Sequence, residues 1–333
     1  MSAELPPVVA LDIGGTKLAV GVVDSSGAVY GMRVEPTRVA EGPDVTIERL
    51  FAMADKAMAE AAVDPSEIAA IGISCGGPMD SVAGLLLAPL HLPGWIDVPI
   101  TSLASARFGV PAILANDATA GAWGEYRFGA GQGMESLVYL TVSTGMGGGA
   151  VLDGRLHQGA AGNGGEFGHI MVKPGGRLCT CGRHGCVEAY VAGSALADRA
   201  REMMADGRAS ILSTLPELTA IDVATYAATD ALAHEIWSEG MELLGVAVTD
   251  LVNILEPDAV ILGGGVTRSG SILLDPVRDK VLREAMGPAA DAVQIVLAGL
   301  GDAVCVVGAG AIALDVLSGR LPAVTTDEVN FFA

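Results

Sequence analysis

VVALDIGGTKLAVGVVDSSG, residues 8–27, and LVYLTVSTGMGGGAVLDGR, residues 137–155, share one plan: apolar strand, glycine turn, second strand, second turn. In the first, residues 8–13 form a short apolar run closed by Gly14-Gly15, and residues 18–24 alternate before Ser25-Ser26-Gly27, which predicts a hairpin. In the second, residues 137–142 are the apolar strand, 143–149 the glycine-rich turn and 150–153 the returning strand. Two copies of one device in one chain predict a duplicated core. Two such turns facing each other across a cleft would grip a polyphosphate from both sides.

Working outward, Val45, Leu50, Phe51, Ala54 and Met58 recur at helical spacing and predict a helix over 44–62. Residues 68–74 read as a strand ending in the loop Cys75-Gly76-Gly77-Pro78, and 112–115 as another ending in Asn116-Asp117, with a helix over 118–128. Later come helices over 194–206, 222–228 and 231–255, then a strand over 259–262 that runs into Gly263-Gly264-Gly265. A helix over 275–286, a strand over 293–297 and a helix over 303–317 complete the pattern. Alternation of this kind predicts an α/β layer fold with loops clustered at strand ends.

Bulk properties narrow the function. The chain has 333 residues, enough for two domains, and 19 Lys plus Arg against 39 Asp plus Glu, a formal net charge of −20. Such acidity argues against a nucleic-acid surface, which needs clustered cations, and is itself a solubility feature. No run of 18 apolar residues and no basic-then-apolar leader is present, so neither a membrane span nor a signal peptide is expected, and a reducing cytoplasm is the expected setting. Glycine, 45 of 333 residues, is about twice its usual share and gathers at strand ends, which points to close backbone approach to ligands.

Gly14, Gly15 and Thr16 present successive N–H groups to an anion, Lys17 adds charge, and Asp12 is an oxygen ligand suited to hydrated Mg²⁺. An ordinary tight hairpin is the competing reading, weakened by the recurrence at Thr144-Gly145. Neither turn is a Walker A loop or a dinucleotide fingerprint. Gly264 and Gly265 would lie flat against an adenine ring, or simply turn strand into helix. Asp117 starts a helix, where N-capping is the ordinary role; the functional one is a general base that takes a proton from an attacking hydroxyl. Asn116 beside it both donates and accepts, which suits a hydroxyl-rich ligand.

The segment EFGHIMVKPGGRLCTCGRHGCVE, residues 166–188, holds His169, Cys179, Cys181 and Cys186, a complete donor set for a closed tetrahedral Zn²⁺ site. A disulfide pair or buried reduced thiols are the alternatives. With four protein ligands the metal is structural, and it would fix Glu166 and Glu188, which flank the ligands. The second nitrogen of His169 would donate to a ligand or a neighbouring carboxylate. Cys75 and Cys305 read as packing residues, and His91, His157, His184 and His234 as surface or satisfied core histidines.

LDIGGTK at 11–17, NDATAGAWGEYRFGAGQG at 116–133, STGMGGG at 143–149, GGEFGHI at 164–170 and CTCGRHGCVE at 179–188 resemble the ROK family of sugar kinases, in particular its bacterial ATP-dependent glucokinases. The likeness runs from about Val8 to about Leu317, and the cysteine segment is its most specific part. It implies the actin-like ATPase (ribonuclease H-like) fold: a small α/β domain over 1–117 plus 305–321, a large α/β domain over 118–304, and a tail over 322–333, with a cleft between the domains.

The resemblance also implies transfer of the ATP γ-phosphoryl group to the 6-hydroxyl of glucose, with Asp117 as base. It places Asp12, Gly14, Gly15, Thr16, Lys17, Thr144 and Gly145 at the phosphates and Mg²⁺, and Gly264 and Gly265 at the adenosine. Gly77, Asn116, Asp117, Glu166, His169 and Glu188 would contact the sugar. The chain departs from the common pattern at Cys75-Gly76-Gly77 and at His91, while Asn163 and Gly164 also fall near the expected pocket. N-acetylmannosamine, N-acetylglucosamine, mannose and fructose therefore stand beside glucose, and polyphosphate beside ATP. The family also holds sugar-responsive repressors with an N-terminal helix-turn-helix. That reading is disfavoured because seven residues precede the first strand. A homodimer or homotetramer is expected, with no nucleic-acid or membrane partner.

Overall fold

Six consecutive buried residues make the first strand, β1 (Val8–Ile13), and its alternation explains why none is polar until Asp12. Val9, Leu11 and Ile13 enter one apolar cluster, while Val8 and Ala10 enter another on the opposite face. A strand covered on both sides has no solvent face to spend on polar residues. The structure is a computed structural model describing residues 5–160 and 162–322. Apart from Pro322, the expected tail over 322–333 lies outside the described residues.

Contacts divide the chain into two compact units. The first takes the segments ending at Gln132, running from Leu156 to Gly165, and starting at Asp302; the second takes Gly133–Arg155 and Glu166–Gly301. In the first unit, β1 pairs antiparallel with β2 (Lys17–Val23), which pairs with β3 (Val29–Pro36). On its other side β1 pairs parallel with β4 (Ile71–Cys75). A small ladder of β5 (Met79–Asp80) and β6 (Leu85–Leu86) follows, and β7 (Ala112–Asn116) then adds parallel to β4. Helices α1 (Gly42–Glu60), α2 (Ile100–Phe108) and α3 (Asp117–Phe128) accompany the sheet, whose order is β3-β2-β1-β4-β7.

The second unit repeats this order. β8 (Leu137–Val142) pairs antiparallel with β9 (Met146–Leu152), and β10 (Arg155–Leu156) lies beyond β9. After α4 (Glu188–Val191), α5 (Gly193–Ala205), α6 (Ala220–Tyr226) and α7 (Ala231–Leu255), β11 (Ala259–Gly263) joins parallel to β8. Helices α8 (Ser271–Glu284) and α9 (Gly287–Ala292) lead to β12 (Gln294–Leu297), parallel to β11. The sheet order β10-β9-β8-β11-β12 is that of the first unit with each strand replaced by its counterpart. This is the duplicated α/β core that the two repeats imply.

Several expectations shift. The returning strand of the second hairpin begins at Met146, so Gly147, Gly148 and Gly149 belong to β9 opposite Thr141, Leu140 and Tyr139. The turn shrinks to Ser143-Thr144-Gly145, matching Gly14-Gly15-Thr16. Strand β3 and helix α2 had no counterpart in the sequence reading: β3 is a partly exposed edge, and α2 buries only Ile100 and Ala104. The two compact units are also divided at other points than the expected 117/118 and 304/305, since residues 118–132, 156–165 and 302–304 group with the first unit. There α3 packs on the C-terminal helix Val304–Leu317, small residue against small residue: a Cβ on Gly308 would overlap the Ala120 carbonyl. No helix among the described residues is long and apolar enough to cross a membrane.

Candidate active site and metal centre

In the first unit, three parallel strands end side by side, and the candidate residues sit at those carboxyl ends, where open α/β sheets bind ligands. Asp12 stands opposite Ser74 in the β1–β4 register, and the Ser74 hydroxyl donates to Asp12 Oδ1 at 2.8 Å. Asp12 is 6% exposed. Burial pushes its carboxyl up to about 7; the Ser74 hydrogen bond opposes this, the Asp117 charge adds to it, and Lys17 draws it back. A desolvated carboxylate beside a second one favours a cation, so Asp12 fits the Mg²⁺ role expected of it. Ser74 was not anticipated; its one signal is a hydroxyl inside the run Ile-Gly-Ile-Ser-Cys.

Asn116 and Asp117 divide their work differently from the sequence reading. The cap of α3 falls to Asn116, whose Oδ1 accepts from Ala118 N at 2.9 Å and Thr119 N at 3.2 Å. Its Nδ2 lies 3.9 Å from the position of a Cβ on Gly77, with Asn163 Oδ1 at 3.6 Å, so Gly77, Asn116 and Asn163 come together. Asn163 Nδ2 in turn donates to the Met79 carbonyl at 3.2 Å. Asp117 Oδ1 also accepts from Ala118 N, at 2.8 Å. Its carboxyl is pushed above the ordinary range chiefly by burial, against the backbone hydrogen bond and the positive field of His91.

His91 is exposed, in keeping with the surface histidine expected there, and it also abuts the first glycine turn. A Cβ on Gly15 would stand 2.5 Å from the His91 β-carbon and 2.9 Å from its carbonyl oxygen. The glycine turn therefore needs no side chain at Gly15 because His91 occupies that space. Cys75 and Cys305 flank the same acids, and the Cys305 thiol lies 3.9 Å from the Asp117 carbonyl. Burial and the charges of Asp117 and Asp12 push both thiols well up, which removes them as nucleophiles and leaves packing as their role.

In the second unit two elements meet at the turn Ser143-Thr144-Gly145, the start of α5 and the loop after β11. At the start of α5, Gly193 N donates to the Ser143 carbonyl at 2.6 Å and the Ser194 hydroxyl to the Thr144 carbonyl at 2.8 Å. After β11, Gly264 has φ +89° and its backbone lies on Val142, where a side chain would overlap the carbonyl. Gly265 faces Ser143 with room for a Cβ, 3.9 Å from Oγ. Thr144, Gly145, Gly264 and Gly265 thus share one corner of this unit.

His169, Cys179, Cys181 and Cys186 converge in the same unit, their ligand atoms all within 4.8 Å of one another. Cys179 Sγ is 3.7 Å from His169 Nδ1, and Cys181 Sγ is 3.8 Å from Cys186 Sγ. Tetrahedral Zn²⁺ with bonds of ~2.0–2.3 Å needs ligand atoms roughly 3.5–3.8 Å apart, so the four residues fit the ion. A disulfide would need sulfurs at about 2.05 Å, and all five cysteines are free. With Nδ1 aimed into the cluster, His169 Nε2 lies 3.8 Å from Glu166 Oε2. Glu188 opens α4 two residues after Cys186; its Oε1 accepts from Thr180 Oγ1 at 3.0 Å, and its Oε2 accepts from Met146 N at 2.9 Å.

Comparison with known proteins bears on the family and the fold. The glucokinase of Streptomyces coelicolor is 33% identical over 318 residues, covering 92% of this chain and 96% of that protein. A ROK hexokinase from Thermus thermophilus is 36% identical, with a TM-score of 0.77 over 94% of this chain and 100% of that one. A ROK family glucokinase from Streptomyces griseus, solved with glucose and AMPPNP, is 33% identical with a TM-score of 0.77, covering 92% of this chain and 98% of that one. The family model described as ROK family matches residues 8–316. On that match, on relatives a third identical over nearly their whole length and on the duplicated fold, the chain belongs to the ROK family.

Proposed function

We propose that the chain is an ATP-dependent glucose kinase that phosphorylates the sugar 6-hydroxyl, with Asp117 as general base. One observation carries this reading most: Asp117 is a partly buried carboxylate at the carboxyl ends of three parallel strands, beside Asp12 and the Gly14–Lys17 turn. Asp117 takes the hydroxyl proton as the sugar oxygen bonds to the γ-phosphorus and the bond to the β-phosphate oxygen breaks, releasing ADP. The turn amides, Thr16 and Lys17 hold phosphate oxygens, as do Thr144 and Gly145 in the second unit, with Gly264 and Gly265 at the adenosine. Mg²⁺, when bound at Asp12, neutralises phosphate charge.

Gly77, Asn116, Glu166, His169 and Glu188 orient the sugar through hydroxyl hydrogen bonds. His169 is suited to serve twice, its Nδ1 toward the sulfurs and its Nε2 toward Glu166. Zn²⁺, when bound, supplies a rigid node for these loops and no chemistry of its own. ADP formation measured across a panel of glucose, mannose, fructose, N-acetylglucosamine and N-acetylmannosamine tests the substrate, with the highest kcat/KM expected for glucose. A higher value for any other sugar overturns that assignment. Asp117→Ala tests the base: a folded protein with kcat reduced about 10³-fold or more is expected, and near-normal turnover would reject it.

A further inference from the structure

Met146 closes the turn Ser143-Thr144-Gly145, pairing with Val142 as the first residue of β9, and it is gripped from both sides by the cysteine-bearing segment. On one side its N–H donates to Glu188 Oε2 at 2.9 Å. On the other, Gly168, the neighbour of His169, lies so close that a Cβ would overlap the Met146 carbonyl oxygen. Glu188 is itself pinned, because Thr180, placed between Cys179 and Cys181, donates its hydroxyl to Oε1 at 3.0 Å. A metal-bound Cys179 has no proton to give, so Thr180 and Met146 are the donors that hold this carboxylate. The chain then leaves Cys186 through α4 and within seven residues reaches Gly193, whose N–H seats the Ser143 carbonyl at 2.6 Å. Met146 also shares one buried cluster with Cys179, Cys186, Val187 and Tyr190.

We infer that the zinc segment positions the nucleotide-phosphate turn of the second unit, through Glu188 and Gly168 acting on Met146, in addition to any part it plays at the sugar. Glu188 is a positioning residue here, and the effect on ATP rests on the proposed assignment of Thr144 and Gly145 to its phosphates. The coupling itself does not, since it is a contiguous path of packed and hydrogen-bonded groups. It predicts that loosening the segment frees the amides of residues 144–147.

The test uses Thr180→Val, which removes the pin on Glu188 and leaves every metal ligand in place. Amide hydrogen exchange at residues 144–147 and the Kd of AMPPNP are compared in wild type, in Thr180→Val and in zinc-depleted full-length protein. Faster exchange at these amides is expected in both perturbed forms, with AMPPNP binding weakened about threefold to tenfold in Thr180→Val, the effect of one lost hydrogen bond. Unchanged exchange in Thr180→Val and in zinc-depleted protein that remains folded by circular dichroism would overturn the coupling. Faster exchange with unchanged AMPPNP affinity would support the coupling and overturn the assignment of this turn to phosphates.

Discussion

The Ser74 hydroxyl donates its hydrogen bond to Asp12 from the directly opposite position of a neighbouring parallel strand, with both residues buried. One hydroxyl offsets only part of the desolvation of a carboxylate, and the nearby Asp117 charge adds to the deficit. The site therefore carries an electrostatic cost that a bound cation would relieve. Such sites sacrifice stability for function.

Asp12→Asn makes that cost measurable. The carboxyl rises from 3.8 to about 7 on folding, so the native state holds its proton more tightly than the unfolded chain. This group's contribution to stability is therefore most favourable below about pH 4, falls as pH rises toward 7 and stays low above it. The substitution should stabilise the metal-free protein more at pH 8 than at pH 5, by roughly 2–3 kcal/mol, while abolishing turnover. Urea unfolding at the two pH values checks this; equal effects at both would show that Asp12 is not held protonated by its surroundings.

Asp117 must be ionised to accept a proton, and its carboxyl is raised by burial. The acid limb of kcat/KM should accordingly fall away at a higher pH than an ordinary carboxylate of ~3.9 would give. His91 holds this value down. His91→Asn should move the limb further upward, and a pH–rate profile that stays put would exclude His91 as an influence on the base.

Cys181 is exposed, so its replacement by serine creates no cavity, and its effects report on the metal. Cys181→Ser should lower zinc from one ion per chain to near zero. A Tm lower by roughly 3 °C or more is expected, corresponding to about 2 kcal/mol for a chain of this size. Elemental analysis beside a thermal melt decides it, and full zinc occupancy in the variant would remove Cys181 from the ligand set.

Asp315 is 3% exposed and accepts from Trp123 Nε1 at 2.9 Å, with Arg127 paired to the same oxygen and Arg320 3.6 Å from the other. It ties the far end of α3, the helix that begins at Asp117, to the C-terminal helix. Asp315→Ala leaves a mostly buried guanidinium and an indole N–H without their acceptor. A loss of about 3 kcal/mol is expected, at the lower end for buried pairs because Arg320 is solvated. A loss below about 1 kcal/mol in chemical denaturation would contradict this account.

Legibility in the sequence followed the range of the interactions. Hairpins, the long helix Ala231–Leu255 and the candidate metal ligands lie within short windows, where apolar periodicity and donor spacing are direct physical signals. Strand β3 and helix α2 were not legible because their stability comes from neighbours more than from their own pattern. The bounds of β9 escaped because glycines in a strand look like a turn until a partner strand pairs with them. The contact of His91 with Gly15 escaped for a different reason: it joins segments 76 residues apart, and no local pattern signals what the fold will bring beside this histidine.

The sequence by itself determined the duplicated α/β core, the grouping of His169 with Cys179, Cys181 and Cys186, the two glycine turns and the family, since each depends on residue type at fixed local spacing. Tertiary structure alone decided which groups act on one another. It set Ser74 against Asp12, gave the cap of α3 to Asn116 instead of Asp117, seated His91 against Gly15 and closed Glu188 on Met146. The physical reason is that carboxyl chemistry depends on desolvation and on charges and donors within a few ångströms. Apart from the cap, which is local, those are properties of packing between segments 42 to 76 residues apart, which no local pattern encodes.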